Sequence, residues 1–502
     1  MSWFIRFLRP CNFRYYMTRE ICAIKILMKL HDPPNMNVYP TPGAARGFVS
    51  LLIGMAMTIA DVPMMAIAMP GIGADLGLGT GPLALIMGAY PLVVAMLLLP
   101  AGQAGDRFGR RRVFLVGGTL FLMGALLSAL APGPLLLAGA RMLQGVGAAA
   151  LAPQALAMIP RLFAPVAQSG AFARLAMTGS FASVCGPLVA GALMVAAPVW
   201  LGWRAIFLAE AMLALAVMLL ASWRLAPHDG GTAGGSRPAE IASFAAAILC
   251  LVAPLSLGPV FSWPAPVFLL LAAALPCAAV FARMTAQAGS AALIPPTLLR
   301  KPSFCWSLVF LLLAVSAPPG FFVVLSLALQ SELGLSPLQA GLVTAGFPAG
   351  VVAGSWTSGR LALQPLARVA LGTLLLCGSF LLIHAILPGL TPTHLWPLRA
   401  GMLAAGAAMG LTVTSVMQLG MWGLPKLLAG AGAGAIQTMQ QVSMAASIAL
   451  SLAVYGQALE TQTGLEAAAT MMWLQISTTG AAALLALVML RVSSFHQQRT
   501  EA

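Results

Sequence analysis

A chain of 502 residues with 60% hydrophobic and only 8% charged residues cannot cover a water-facing surface, for which roughly 25% charge is usual. Its net charge of +14 sits in short segments between apolar runs, which argues against a nucleic-acid-binding face and for basic loops that orient membrane helices. The seven cysteines fall at no metal-ligand or disulfide spacing, and most of them lie inside apolar runs.

Residues 1–46 hold seven basic residues, several aromatics and no run long enough to span a bilayer. They read as a cytoplasmic extension. Two origins fit it: an amphipathic surface segment, or sequence upstream of a true start at Met36. Beyond them the apolar runs begin. A hydrocarbon core about 30 Å thick needs roughly 20 apolar residues per helix, and fourteen runs qualify. Six lie near 47–69, 82–104, 113–131, 134–158, 170–195 and 205–223. A Gly- and Pro-rich polar linker, 224–240, precedes two more runs near 241–259 and 265–283. The last six lie near 304–329, 337–358, 366–388, 396–419, 430–455 and 470–490, before a tail at 491–502. Gly and Gln dilute the 396–419 and 430–455 runs.

The expected architecture is an all-α integral membrane protein with fourteen transmembrane helices arranged six, two, six. Its six-helix bundles would occupy 47–223 and 304–490, with 241–283 inserted between them. With the N-terminus inside, all but three of the 26 Lys and Arg residues fall on the cytoplasmic side. The exceptions are Arg204, Arg399 and the intramembrane Arg141. One missed helix would scramble that separation, so both termini are expected in the cytoplasm and the protein in the inner (plasma) membrane.

Between the second and third runs stands Gly102-Gln-Ala-Gly-Asp106-Arg107-Phe-Gly109-Arg110-Arg111-Arg112. A tight turn needs the backbone freedom of Gly109. The segment also places the Asp106 carboxylate beside several guanidinium groups, a latch for neighbouring helices. It resembles the G-x-x-x-D-R-x-G-R-R signature of the major facilitator superfamily. Four further segments resemble that superfamily's fourteen-span drug:proton antiporters, the EmrB/QacA type. They are Asp61-Val-Pro63-Met-Met-Ala66-Ile-Ala-Met-Pro70, Arg141-Met-Leu-Gln144-Gly145, Gly186-Pro187-Leu-Val-Ala190-Gly191 and Trp203-Arg204-Ala-Ile-Phe207. Leu335-Ser336-Pro337-Leu338-Gln339-Ala340-Gly341 is similar as well. Pro63 and Ala66 depart from the family's Thr and Asn, Ala190 replaces a glycine, and Glu210 or its neighbour takes the place of an Asn. Gly359 to Arg368 can be laid over Gly102 to Arg111 as a degenerate second copy, with Leu363 for Asp106 and Leu366 for Gly109.

The resemblance implies proton-coupled efflux of amphipathic organic compounds by alternating access. Its rival on the same scaffold is an importer or organic-acid carrier. The expected partners are the lipid bilayer, a small amphipathic substrate and protons. No cofactor is expected beyond the proton motive force, and no metal; whether a periplasmic adaptor takes part is left open. An enzyme would need paired carboxylates, a metal cluster or a nucleophile with its base, and the sequence offers no such set. A nucleotide-driven pump would need a G-x-x-x-x-G-K-[ST] loop.

A charge in hydrocarbon costs about 2.5–3.5 kcal/mol on insertion scales, so each one asks for a reason. Asp61 and Arg141 lie roughly 14 and 10 Å below the outer ends of their helices, from a rise of about 1.5 Å per residue. With Gln144 they are expected to form one polar site. Asp61 fits either a proton carrier or half of a static salt bridge with Arg141. Glu210, near the outer end of the sixth run, reads as a solvated edge residue. Gly186, Pro187 and Gly191 fit close helix approach or a coupling role. Gln437 and Gln440 share a face that lines the second half of a cavity or bonds to a neighbouring helix.

Overall fold

The computed structural model describes residues 42–501, apart from 164, 226–236, 259–263, 290–291 and 425–427. The expectations for the tail before 42 and for most of the 224–240 linker lie outside the described residues.

Helices α1 (Pro42–Leu76), α2 (Thr80–Phe108), α3 (Arg110–Ala129), α4 (Pro134–Leu162), α5 (Pro165–Ala196) and α6 (Arg204–Arg224) form the first half. Helices α7 (Pro238–Leu257) and α8 (Ala265–Ala288) follow. The second half consists of α9 (Pro302–Ser331), α10 (Pro337–Ser358), α11 (Pro365–Ile386), α12 (Trp396–Met421), α13 (Ala429–Ala458) and α14 (Gly464–Glu501). α9 is interrupted by a π-helical turn at Leu311–Val315. Pro63 and Pro70 sit inside α1, and Pro153 and Pro160 inside α4. Packed membrane helices tolerate such residues because neighbours satisfy the freed backbone groups.

Among the described residues, thirteen helices are long and apolar enough to cross a membrane. The exception is α13. It is 30 residues long, but its first turns read Ala-Gly-Ala-Gly-Ala-Gly and three glutamines follow. Its length fits a span while its composition does not reach that of the others, which is where the expectation of fourteen apolar runs differs from the structure. α14 also outruns its expected 470–490 core at both ends.

The two halves are built on one plan, and their glycines show it. A Cβ on Gly145 of α4 would lie 2.8 Å from the backbone oxygen of Tyr90 on α2, and a Cβ on Gly406 of α12 would collide with that of Phe347 on α10. Tyr90 and Phe347 are related by the sequence offset that relates Gly102 to Gly359, so packing and the degenerate repeat give the same correspondence. Gly117, Gly124 and Gly147 let α3 and α4 approach backbone to backbone, as Gly350, Gly354, Gly406 and Gly410 do for α10 and α12.

The halves meet along three seams. α13 lies against α2, with Gly456 facing Thr80 and Gly434 facing Leu99. α9 meets α1, where Gln330 Nε2 donates to Ile67 O at 3.2 Å. α5 meets α10, where a Cβ on Gly191 would lie 2.6 Å from Leu338 Cα and one on Gly341 would lie 2.7 Å from Pro187 O. The α1–α9 and α5–α10 contacts gather toward the end of the molecule away from the Arg107–Arg112 turn. α7 packs on both α2 and α13, through Phe244, Ile248 and Val252 against Leu92, Leu99 and Val442. α8 leans on α7 and has few fully buried residues.

Candidate functional site

Asp61 projects from α1 two residues before Pro63, and Arg141 projects from the second turn of α4. They meet in the interior of the first half. Arg141 Nη1 donates to Asp61 Oδ1 at 2.5 Å and Nη2 donates to Oδ2 at 2.6 Å, a two-pronged, charge-assisted pair. Both side chains are completely buried. Arg141 Nη1 also donates to Gln144 Oε1 at 2.9 Å, one helical turn along α4. Gln144 Nε2 then donates to Glu210 Oε2 on α6 at 3.0 Å, and Ser128 Oγ on α3 lies 3.4 Å from Gln144 Oε1. The guanidinium lies over the Tyr90 ring with its carbon 4.8 Å from the centroid, and the Phe207 ring centroid is 5.9 Å away. Tyr90 is held in turn by a bond from its hydroxyl to Thr58 O on α1, 3.1 Å long. Two carboxyl groups, one guanidinium and one amide thus occupy a closed space between α1, α2, α4 and α6.

The sequence expectation of one polar site brought Asp61, Arg141 and Gln144 together, and the structure places them so. The expectation for Glu210 is corrected. It is not a solvated edge residue but only 4% exposed, because α6 packs against α1 and α3 with Phe207 and Glu210 turned inward, where Gln144 of α4 meets Glu210. Tyr90 escaped the sequence reading altogether.

The turn between α2 and α3 carries the second feature. Gly109 adopts φ 94°, a conformation that favours glycine, and this lets α3 begin at Arg110 directly after α2. Asp106 pairs with Arg110 one turn on, at the exposed helix end. Arg111 Nη2 donates to Ser222 O near the end of α6 at 2.6 Å, tying the turn to that helix. Arg107 lies over the Phe108 ring at 5.2 Å. Gly102 has room for a side chain, whereas Gly105 is filled against by Gln154, which donates to Ala101 O at 2.8 Å. In the second half Arg368, in the place of Arg111, donates to Ser358 O at 2.7 Å.

The Gly186–Gly191 stretch lies between the charge cluster and the other half. A Cβ on Gly186 would stand 3.1 Å from Ala60 O and 3.4 Å from Pro63 Cγ, so α5 presses on the backbone flanking Asp61. One residue on, Pro187 O faces Gly341 of α10, and Gly191 faces Pro337 and Leu338. Gln437 and Gln440 are half-buried on α13, and no hydrogen bond joins them to the charge cluster among the described residues. His384 Nδ1 lies 2.8 Å from Ala469 O, joining α11 to α14 as a packing element. Among the described residues no group of three His, Cys, Asp or Glu side chains is placed to hold a metal ion.

Residues 48–448 match the model of the Major Facilitator Superfamily. The chain belongs to that superfamily. It is 30% identical over 422 residues to the probable actinorhodin transporter of Streptomyces coelicolor, covering 82% of this chain and 72% of that one. It is 31% identical over 422 residues to the puromycin resistance protein pur8 of Streptomyces alboniger, covering 82% of each. It is 32% identical over 341 residues to the multidrug efflux pump LfrA of Mycolicibacterium smegmatis, covering 67% and 66%. Among solved structures it resembles a peptide transporter of the POT type in complex with sulfate. The TM-score is 0.61 at 17% identity, with 89% of this chain and 94% of that one covered. At that identity the structural likeness speaks for the fold. The protein is therefore an all-helical major facilitator transporter of the membrane, with relatives named as antibiotic and multidrug exporters.

Proposed function

We propose that this facilitator exports amphipathic organic compounds in exchange for protons, by alternating access between its two halves. The carrying observation is the buried set of Asp61, Arg141, Gln144 and Glu210, in which two carboxyl groups share one cation. Such a set exchanges a proton when rearrangement alters its partners, because burial favours the neutral carboxyl and the guanidinium favours the charged one. The exporter names of the relatives support the direction of transport. The Gly186–Gly191 contacts on both α1 and α10 supply a mechanical route from the charge cluster to the opposing half.

In this reading the basic Arg107–Arg112 end faces the cytoplasm, with both termini, and the protein lies in the plasma membrane with α13 as a fourteenth span. The 6+2+6 arrangement is that of the EmrB/QacA type. The α1–α9 and α5–α10 seams then close the outer end, and the latch around Asp106 stands at the cytoplasmic end, where it stabilises one state of the cycle. The proton gradient is the energy source, without a further cofactor.

The test is a pump-deficient bacterial host expressing the chain, challenged with a panel of toxic amphipathic compounds. Raised resistance together with efflux that collapses when the proton gradient is dissipated supports the reading. Faster accumulation of the same compounds in expressing cells favours import and overturns it.

A further inference from the structure

Two buried carboxyl groups facing a single guanidinium pose a charge problem whose solution lies in the hydrogen bonds. Arg141 stays protonated under any condition a cell offers. If Asp61 and Glu210 were both ionised, the sealed pocket would hold one uncompensated negative charge, which a low-dielectric interior strongly opposes. One proton makes the set neutral, and the geometry shows where it belongs. Asp61 has both oxygens taken by guanidinium N–H donors at 2.5 and 2.6 Å, the arrangement of a carboxylate. Glu210 receives one neutral amide N–H, on Oε2 at 3.0 Å, and among the described residues no donor is aimed at its buried Oε1. An acceptor buried without a donor is costly, whereas a protonated Oε1 becomes a donor itself. An acceptor is at hand, since Glu210 lies against Asp61.

The titratable and charged groups that face Glu210 are Asp61 from α1, Tyr90 from α2 and Arg141 from α4. From α3 comes the Ser128 hydroxyl, which reaches the set through Gln144. Gln144 is oriented by its neighbours. Its oxygen is held by Arg141 and its nitrogen by Glu210, so the amide stands between Glu210 and the guanidinium.

We propose that Glu210 is the side chain that binds and releases the transported proton, while Asp61 remains ionised on Arg141 as a fixed counter-charge. This deepens the proton-exchange reading above and rests on it. In the state described here Glu210 is the acid and the set is neutral. Release breaks the Oε1–H bond and passes the proton to water. The second carboxylate so formed competes with Asp61 for Arg141, which pulls α6 and α1 toward new positions relative to α4. Re-protonation of Glu210 returns the guanidinium to Asp61. Because Ala60 O beside Asp61 touches Gly186, and Pro187 touches α10, that competition for one cation is felt at the seam between the halves.

The deciding experiment is infrared spectroscopy of the purified full-length protein at neutral pH, which reads the carboxylic-acid C=O stretch directly. Three preparations are compared: unlabelled, side-chain ¹³C-glutamate-labelled and side-chain ¹³C-aspartate-labelled. The expected result is a buried-acid band that shifts with the glutamate label, ignores the aspartate label and disappears in Glu210→Gln. A band that follows aspartate, survives Glu210→Gln or is absent altogether overturns the proposal. The isotope arm needs no variant to fold.

A second arm uses proteoliposomes with ethidium as the probe. An imposed proton gradient should accelerate wild-type transport, and Glu210→Gln should lose that acceleration. A gradient response retained in Glu210→Gln overturns the role of Glu210. Wild-type transport indifferent to the gradient overturns proton coupling itself and so the reading beneath it, whatever the isotopes report about the acid.

Discussion

The two six-helix halves share a plan but fill their interiors differently. Where the first half has Tyr90 on α2, the second has Phe347 on α10. Counting back from the matched glycines 145 and 406, Arg141 corresponds to Met402 and Gln144 to Ala405. Asp106 at the turn corresponds to Leu363. Met402 and Ala405 are fully buried in the large apolar cluster with Phe321, Phe347 and Phe380. Arg141 is instead the bulkiest of the completely buried side chains among the described residues. One backbone solution therefore serves two chemistries. The first half carries a compact ionisable set whose bonds are specific, and the second presents a pliant apolar interior with no charge to satisfy at the same place. On the proposed exporter reading this divides the labour: coupling on one side, accommodation of varied substrates on the other.

The comparison breaks most visibly if the first half is made to resemble the second. Arg141→Met strands a buried Asp61 without its cation, and the expected loss is about 3–5 kcal/mol, read as a lower melting temperature of the purified protein. Adding Asp61→Asn should restore most of the melting temperature but leave proton-driven transport absent. Full transport in that double variant would mean the ion pair is no more than an architectural device.

A smaller effect is expected at the seam between halves. Gly191→Val and Gly341→Val each force a side chain into opposing backbone, at a cost of about 1–3 kcal/mol. Both should arrest transport in everted vesicles while membrane levels of protein hold. Smaller still is the stability effect of Asp106→Asn, which removes an ion pair half-open to water and should shift stability by at most about 1 kcal/mol. Its signature is slower efflux at unchanged melting temperature. Met402→Leu is a volume-conserving swap whose effect is of the same small order, less than about 1.5 kcal/mol. It should alter the relative resistance to different compounds and leave the response to the proton gradient intact. If Met402→Leu abolished that response, the division between the halves would be wrong.

How much of this was legible in the sequence follows from what each residue signals. Asp61 and Arg141 were visible because a charge in an apolar run stands out, and their depths matched. Gly109 and the Arg107–Arg112 run were visible because a tight basic turn has a spelling. Glu210 was misread because its distance from Trp203 places it near a helix end, and nearness to an end says nothing about which way the helix faces. Its clue was the apolar stretch on both sides, since a solvated edge would sit among other polar residues. Tyr90 gave no signal: an aromatic in an apolar helix reads as core until a guanidinium is found over its ring. The weak apolarity of α13 was legible, but its position along α2 depends on contacts between helices far apart in the chain.

The placement of α7 across the α2–α13 seam has a consequence for how cargo arrives. A molecule dissolved in the lipid and heading for the space between two rocking bodies can slip in sideways only where their boundary is open to the acyl chains. Phe244, Ile248 and Val252 act as a gasket over one such boundary, resting on both bodies at once. The other boundary runs between α5 and α10. It is pinched shut near the Gly191–Leu338 contact. Under the proposed exporter reading, the α5–α10 boundary is then the side left for lateral entry, next to the glycines that press on the backbone beside Asp61.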